Sequence, residues 1–574
     1  MRWSKTELSV VKIHLTSLLC NGVISKCRPS RGQFVSNIFL VPKPDGSHRL
    51  ILNLKELNQY IETQHFKLED YRSVTKLVTE NCFFASLDLK DAYHLVPIRV
   101  KDRKFLRFYF EEELFQFNCL PFGLCTAPLV FTKILKPVFA KHRLQNFGSN
   151  VYLDDFLLLG DSFRDCLSNV ATTRSLLEEL GFIINEKKSR FTPSQSIQYL
   201  GLVFNSRSMT VSLPVEKQKR ILQDIHTLET KLSCKIRTFA KFIGRIIAAT
   251  PAVRYAMLYT KNFERQKFLA LKKSGGEYNS TMTIPSTLRH DFLWWKSHIQ
   301  ESRCIRPINY TMEIFSDASL SGWGVACSGK RSHGFWTRME SKNHINFVEL
   351  QAAFFGLRCF AANFKQTNIL LRIDNTTAIS YINRMGGVQY PHLNTLTRDI
   401  WQWCEKRELW IFASYIQSSD YVEADRESRR KVSESEYELC DLAFRKICTD
   451  LRHPDIDFFA SRTNNKCERY FSWLRDPGAE AVDAFTVNWV DKNFYAFPPF
   501  ALILRVLQKI KSDNAEGVLV VPFWPTQPWW PLFNALLIKP PIYFKPNPNL
   551  LLSADRTPHP LHVTLTLVAG LLSG

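Results

Sequence analysis

Residues 151–160 read VYLDDFLLLG, an apolar run with Asp154 and Asp155 side by side in its middle. Two unpaired charges inside a segment that wants burial would each cost several kcal/mol, so something positive should sit beside them. The run predicts a second hairpin with the two carboxylates at its tip.

Lysine and arginine outnumber aspartate and glutamate by 75 to 54 in 574 residues, a net charge of +21. That balance on a globular composition points to a polyanionic partner, nucleic acid above all. A merely soluble basic protein is the alternative that charge alone leaves open. The length suits three or four domains. Fourteen cysteines without CxxC pairs read as reduced core residues, not a disulfide frame or zinc site. Lys12 and His14 interrupt the first apolar stretch, which makes it a poor signal peptide. The closing LHVTLTLVAGLLSG has 14 residues, short of the ~20 that span a bilayer. The expectation is a soluble intracellular protein with no membrane partner, in cytoplasm or nucleus; Arg429-Arg430-Lys431 is too short a run to serve as an address.

Along the chain, FVSNIFLVPKPDGSHRLILNL (34–54) predicts two strands joined at Pro44-Asp45-Gly46. A strand follows at 83–88, then the aromatic and basic KDRKFLRFYF and a break at LPFGLCTAP. Phe163, Leu167, Val170, Leu177 and Leu180 recur at helical spacing, and Gly181 closes that helix. Residues 206–305 are basic and mostly helical in pattern, with KKSGGEYNSTMT (272–283) as a linker. A new α/β unit opens at 312 and ends near 435, and from about 453 the composition shifts to Trp, Pro and Phe. No internal repeat or low-complexity tract is present.

FFASLDLKDAYHL puts Asp88 at the end of an apolar strand. If that strand lies beside the 151–160 hairpin, Asp88, Asp154 and Asp155 converge, and three carboxylates around hard divalent cations suit phosphoryl transfer. The series VPKPDGSHRLILNLKELN, SLDLKDAYHL, LPFGLCTAP, YLDD, GFIINEKKS and YLGLVF stands in the order of the reverse transcriptase motifs over roughly residues 30–205. It resembles retrotransposon enzymes more than telomerase or group II intron enzymes. The resemblance implies that Asp88, Asp154 and Asp155 hold metal, with Asp155 the less direct. It implies that Tyr93 is the steric gate against a ribose 2′-hydroxyl, whereas a core tyrosine is the reading of the lone residue. An RNA-dependent RNA polymerase would carry a small or polar residue there. Lys43 and Arg49 resemble the finger residues that clamp the triphosphate; a solvated hairpin tip is the alternative for Lys43. Phe122 and Gly123 resemble the segment beneath the nucleotide and template base, glycine allowing close backbone approach. Lys188 matches the lysine assigned to protonating pyrophosphate, against the plain reading of Lys187-Lys188 as a solvated charge run.

Four further acids follow: Asp317 in EIFSDAS, Glu349 in NFVELQAAF, Asp374 in LLRIDNTTA and Asp425 in VEADRESR. Asp317 and Asp374 end apolar strands, where α/β sheets place their sites, and Glu349 sits on a helix whose small face includes Ala352, Ala353 and Gly356. Singly, each could be a cap or turn residue. Together they resemble the ribonuclease H set, whose members hydrolyse the RNA of RNA–DNA hybrids. One departure is Tyr415, where related enzymes carry a histidine ten residues before the last acid: a phenol cannot do an imidazole's work at neutral pH. Tyr421 likewise stands where asparagine is usual.

The tail, from DIDFFASRTNNKCERYFSW to GVLVVPFWPTQPWWPLF, resembles the segment after ribonuclease H in DIRS-like retrotransposons, and more faintly phage-type adenine methyltransferases. Their Asn or Asp before Pro-Pro-aromatic is Phe497 here, which accepts no hydrogen bond from a target amino group. Trp524, Trp529 and Trp530 could stack on bases, or belong to a core.

The expected architecture is α+β and α/β multidomain: fingers and palm of a right-hand polymerase at 1–205, a helical thumb or connection at 206–305, a ribonuclease H-like α/β domain at 311–435, and a small α/β methyltransferase-like or nucleic-acid-binding module at 450–560. The resemblance implies two magnesium ions per active site, with manganese as the alternative. Implied partners are an RNA template, a DNA primer, RNA–DNA hybrid and dNTPs. No protease, integrase or recombinase motif stands in this chain, so an element-encoded recombinase would come from another reading frame. The rival reading is a decayed or domesticated nucleic-acid-binding protein.

Overall fold

The computed structural model describes residues 3–42, 48–417, 422–429, 437–553 and 556–574. It forms two compact units. One comprises residues 1–227, 248–254 and 293–307, the other 228–247, 255–292 and 308–574. The 206–305 segment is therefore not a body of its own: its helices are shared between the two. Helices Ile236–Ala249, Lys261–Lys273 and Arg289–His298 do form there. KKSGGEYNSTMT is not a linker, because Thr281–Thr283 pairs antiparallel with Ser233–Lys235. Glycines 275 and 276, both at positive φ, turn the chain so that this pairing can close.

In the first unit a four-stranded antiparallel sheet runs in the order Gly148–Tyr152, Asp155–Gly160, Phe83–Asp88, Arg190–Ser194. Phe156, Leu157 and Leu158 are all fully buried, so the opening run fails to alternate because neither face meets water. Helices Ala127–Arg143 and Phe163–Glu179 contribute Phe131, Leu135, Phe139, Cys166, Val170 and Leu177 to the core beside it. The second helix starts on Ser162, whose hydroxyl accepts from Asp165 N, and stops at Gly181. There Phe182 N bonds Leu177 O and Gly181 N bonds Glu178 O, a Schellman closure with glycine at φ +85°. Not every residue at that spacing faces the core: Phe163, Leu167 and Leu180 are exposed, and Asn169 takes the sheet-facing place. Asn169 Nδ2 donates to Gly148 O (2.9 Å) and Leu159 O (2.8 Å), so a polar side chain satisfies buried carbonyls that no leucine could. The hairpin Ile38–Pro42 with His48–Leu52 forms in register; its tip, with Lys43, lies outside the described residues.

In the second unit a five-stranded sheet runs Lys330–Phe335, Gly322–Cys327, Met312–Ala318, Asn368–Ile373, Trp410–Tyr415. Its first three strands are antiparallel and its last three parallel. Helix Ile345–Ala361 packs its small face on this sheet, where a Cβ on Gly356 would come 3.0 Å from Ile314 Cγ2.

Further along the same unit lies a seven-stranded sheet in the order Ala481–Val482, Arg469–Ser472, Ile456–Asp457, Phe494–Ala496, Glu516–Pro522, Leu567–Ser573, Ile542–Phe544. The first five are parallel, and Leu567–Ser573 runs antiparallel between Glu516–Pro522 and Ile542–Phe544. Two expected boundaries shift. The module reaches past 560, because the apolar closing segment is a buried inner strand of this sheet. It also begins before 450, because Tyr437–Leu439 pairs with Leu551–Ser553 and helix Asp441–Asp450 packs on its core. Trp529 is buried, and Trp524 and Trp530 pack against the same core, which is the core reading of that cluster. No helix among the described residues is long and apolar enough to cross a membrane.

Candidate functional site

Strand pairing alone brings two of the first three carboxylates together, since Asp88 lies directly across the ladder from Asp155. Asp154 occupies the two-residue turn with Leu153, which takes φ +56°, and Asp154 O accepts from Leu89 N at 3.0 Å. Tyr199 clamps the hairpin from below, its hydroxyl donating to Asp155 O (3.1 Å) and Asn150 Oδ1 (3.0 Å). All three acids border one cavity of about 350 Å³, together with Lys188, Gln198 and Gly201.

The electrostatics are those of like charges held close. Burial, then Asp154 and Asp88, push Asp155 up to about 6. Burial, and to a lesser extent Asp88, raise Asp154. Asp88 is only 8% exposed and is held from three sides. Asn185 Nδ2 donates to its Oδ1 at 2.9 Å, Asn185 N to its carbonyl at 2.7 Å, and its own N–H donates to Ser189 Oγ at 3.0 Å. Lys188 Nζ stands 3.4 Å from Asp88 Oδ2 with its side chain largely in solvent. Asn185 and Tyr199 stand within the sequence motifs without a signal of their own, since an Asn three residues before a lysine means nothing until the fold lays it on a carboxylate.

Beside the acids, aromatic rings stack into a wall. Arg49 lies over the Phe122 ring (4.8 Å), Phe122 meets Tyr93 (5.1 Å), and Tyr93 meets Phe131 edge-on (5.2 Å). Burial, with Asp154 next, pushes the Tyr93 phenol up to about 12, so it stays neutral. Gly123 takes φ +99°, and a Cβ there would stand 3.2 Å from Leu52 O; its freedom is used against protein backbone, a tighter constraint than nearness to a substrate.

In the five-stranded sheet, Asp317 ends one parallel strand, Asp374 follows the next, and Glu349 projects from the covering helix. One oxygen from each lies within 4.8 Å of the others, the tightest acidic donor group among the described residues. Burial above all, then Asp317 and Asp374, push Glu349 up to about 9, and its Oε2 is buried without a partner. Burial also raises Asp317, against a hydrogen bond from Ser428 that lowers it. Hard oxygens, mutual repulsion and an orphaned buried carboxyl oxygen fit a divalent cation. The palm acids fit one too, although Asp88, Asp154 and Asp155 do not close as tightly: amide and ammonium donors already occupy Asp88.

Asp425 is not one of those three donors, although its charge still helps raise Asp317. It lies on helix Val422–Ser428 and pairs with Arg429 at 2.6 Å. That helix presses on strand Gly322–Cys327, where only a glycine at 324 leaves room. Tyr415 sits at the end of the edge strand, across from Ile373 and 54% exposed. Tyr421 lies outside the described residues.

With this geometry in place, comparison with known proteins is informative. Residues 41–204 match the family described as reverse transcriptase (RNA-dependent DNA polymerase), and residues 316–414 the one described as reverse transcriptase-like. A Tf2-3 transposon polyprotein of Schizosaccharomyces pombe is 27% identical over 192 residues, 33% of this chain and 14% of that protein. The enzymatic polyprotein of figwort mosaic virus is 24% identical over 378 residues, 60% of this chain and 52% of that one. The chain thus spans about half the length of one curated relative and far less of the other. A solved foamy viral protease-reverse transcriptase in complex with RNA/DNA hybrid is 15% identical, at a TM-score of 0.46 over 76% of this chain and 58% of that one. The chain carries reverse transcriptase and ribonuclease H-like domains of the kind found in retrotransposon and viral polyproteins. Such domains generally depend on divalent metal ions.

Proposed function

We propose that this protein is an RNA-directed DNA polymerase with an attached ribonuclease H, encoded by a DIRS-like mobile element. The observation that carries the reading is the ladder pairing of Asp88 with Asp155, with Asp154 in the turn and the Arg49–Phe122–Tyr93 wall beside them. Asp88, Asp154 and Asp155 would hold two magnesium ions, or manganese, which supply charge neutralisation and activation of a primer 3′-hydroxyl when bound. Arg49 offers fixed positive charge for a triphosphate, Tyr93 bars a 2′-hydroxyl, and Phe122 supports the nascent pair. Asn185 and Ser189 hold Asp88 in place, while Lys188 starts on Asp88 and is free to follow charge as it develops nearby. Asp317, Glu349 and Asp374 would hold the second pair of ions, on RNA of a hybrid. We further propose fingers and palm at 1–205 and a ribonuclease H-like part at 311–435, with the last module starting at 437, an intracellular setting, and a recombinase from another reading frame.

Primer extension on an RNA template with magnesium tests the polymerase. The wild type should incorporate dNTPs and Asp154→Asn should not; no incorporation by the wild type would favour a nucleic-acid-binding protein without catalysis. A second reading applies to the ribonuclease H part alone. Tyr415 in place of a histidine, and Asp425 held by Arg429 outside the three-acid group, favour a site that holds hybrid and cleaves it slowly. Cleavage of a labelled hybrid within one turnover, compared with a Tyr415→His variant, distinguishes the two.

A further inference from the structure

The matched families end at residue 414, yet loops from beyond it grip the helix that carries Glu349. Glu349 shares the sheet-facing side of that helix with Ala352, Ala353 and Gly356, all buried. Gln351, Phe355 and Cys359, spaced four residues apart, form the neighbouring stripe. That stripe is met by two loops of the seven-stranded sheet, one after Ile456–Asp457 and one after Arg469–Ser472, within the same compact unit.

Arg462 comes from the first loop. Its guanidinium lies over the Phe355 ring (4.7 Å) and completes an enclosure whose other walls are Trp323 (5.3 Å) and Trp336 (5.9 Å). Its Nη1 and Nη2 donate to the two Glu340 oxygens, each at 2.9 Å, and Glu340 in turn accepts from Gln351 Nε2. Arg475 comes from the second loop. Its Nη1 donates to Cys359 O (3.3 Å), and its carbonyl accepts from Cys359 Sγ (3.5 Å) and from Ser332 Oγ. The loops are themselves held: Arg462 N donates to Asp476 Oδ2 at 3.1 Å, and Asp457 accepts from Phe459 N and Lys466 N across the first loop.

We propose that Arg462 is a positioning residue for the site of Asp317, Glu349 and Asp374, and that the final module is a brace that sets where Glu349 stands. This rests on the reading of that site as a ribonuclease H. Asp317 lies in a strand and Asp374 directly follows the one beside it, so the ladder fixes both. Glu349 alone of the three comes from outside the sheet, and its Oε2 is buried with no partner among the described residues. Its aim therefore depends on the height and rotation of its helix, and a metal ligand tolerates only about 0.5 Å of error. The sheet sets one side of that helix. Arg462, through Phe355 and through Glu340 to Gln351, and Arg475, through Cys359, set another over about two turns.

Three measurements on the full chain test this. In metal-free protein, amides of residues 345–361 should exchange hydrogen about tenfold faster in Arg462→Ala than in wild type, while those of Asn368–Ile373 keep their rate. Manganese titration, in an Asp88→Asn background that disables the other acidic site, should show affinity about tenfold weaker, the low end of what outer partners of metal ligands contribute. Hybrid cleavage should need about tenfold more magnesium, recover at saturating magnesium and keep its KM for hybrid. Gln351→Met, which cuts the link to the helix and leaves the Arg462–Glu340 pair in place, should move both metal readouts the same way. Should Arg462→Ala fail to fold, Arg462→Lys replaces it, since a lysine ammonium lacks the fork that grips two oxygens. Exchange that speeds up equally in Asn368–Ile373 would mean general loosening and overturn the proposal, as would manganese affinity unchanged in either variant. If the wild type cleaves no hybrid, the ribonuclease H reading falls, and exchange and manganese affinity still decide the brace.

Discussion

Replacing Glu349 by glutamine should make the metal-free protein more stable while removing its hybrid cleavage. Three carboxylates stand with oxygens within 4.8 Å of one another, and Glu349 is 4% exposed. At an effective dielectric of about 20, each charged pair at that separation repels by roughly 3.5 kcal/mol. Full ionisation is therefore resisted, and burial with Asp317 and Asp374 pushes Glu349 up to about 9 from an ordinary 4.5. The sign follows from proton counting. Below about pH 4.5 the folded and unfolded chains both hold the proton, and the group has no effect. Between there and about 9 the unfolded chain has released it and the folded chain has not, so folding loses roughly 1.36 kcal/mol per pH unit. At pH 8 that sums to a ceiling of about 5 kcal/mol, of which water entry and side-chain relaxation leave roughly 2–4. In EDTA, Glu349→Gln should therefore melt several degrees higher than wild type at pH 8 and no higher near pH 4.5. Added magnesium should stabilise the wild type and reverse the order. Equal melting at pH 8 without metal, or a difference that stays constant from pH 5 to 9, would refute the reasoning.

Asp88→Asn should abolish primer extension and leave hybrid cleavage by the other sheet unchanged, measured on separate substrates. Tyr93→Ala should raise ribonucleotide incorporation relative to deoxyribonucleotides by at least tenfold; unchanged discrimination would remove Tyr93 from the gate. Arg462→Ala should cost about 3–5 kcal/mol and speed proteolysis near 437–460, because it leaves the Glu340 carboxylate half-buried without its two-pronged partner. Glu340 is pulled below the usual carboxylate range because Arg462 and the Thr337 bonds outweigh the upward push of burial. The Arg462 contribution is therefore present above pH ~4.5 and fades as pH falls through the lowered value, which melts of the Arg462→Ala pair across pH 3–6 would show. Nucleic-acid binding should weaken steeply between 50 and 200 mM salt, as a chain of net charge +21 requires.

What sequence could reveal here was whatever strand periodicity and turn chemistry fix locally. Phe83–Asp88 has the expected bounds because its apolar run, its acid and the following Asp91 turn all agree. A length test suited to membranes says only that the closing segment falls short of a span, and it cannot see that Leu567–Ser573 lies between two partners supplied from elsewhere in the chain. The helix after Gly160 shows the same limit from the other side. Hydrophobic spacing picks out Leu167, but two unpaired sheet carbonyls select Asn169 for the buried face, and those carbonyls exist only once Gly148 and Leu159 are paired.

The site follows the same rule one level up. Acids that end strands were visible as acids, because an apolar run with a carboxylate at its end has few structural explanations. The residues that aim them were not visible, since Asn185, Tyr199 and Ser428 act through long-range contacts that leave no local pattern. Asp425 is the instructive case. Its motif fits and its charge reaches Asp317, yet its helix rests on a strand through Gly324 and Arg429 answers it, so its place relative to the other three acids is set by packing and not by sequence spacing. Removing that answering charge with Arg429→Ala should let Asp425 turn toward Asp317. It should raise hybrid cleavage at low magnesium if Asp425 belongs to the site, and leave cleavage unchanged if three acids suffice; a single metal titration of the two proteins decides between them.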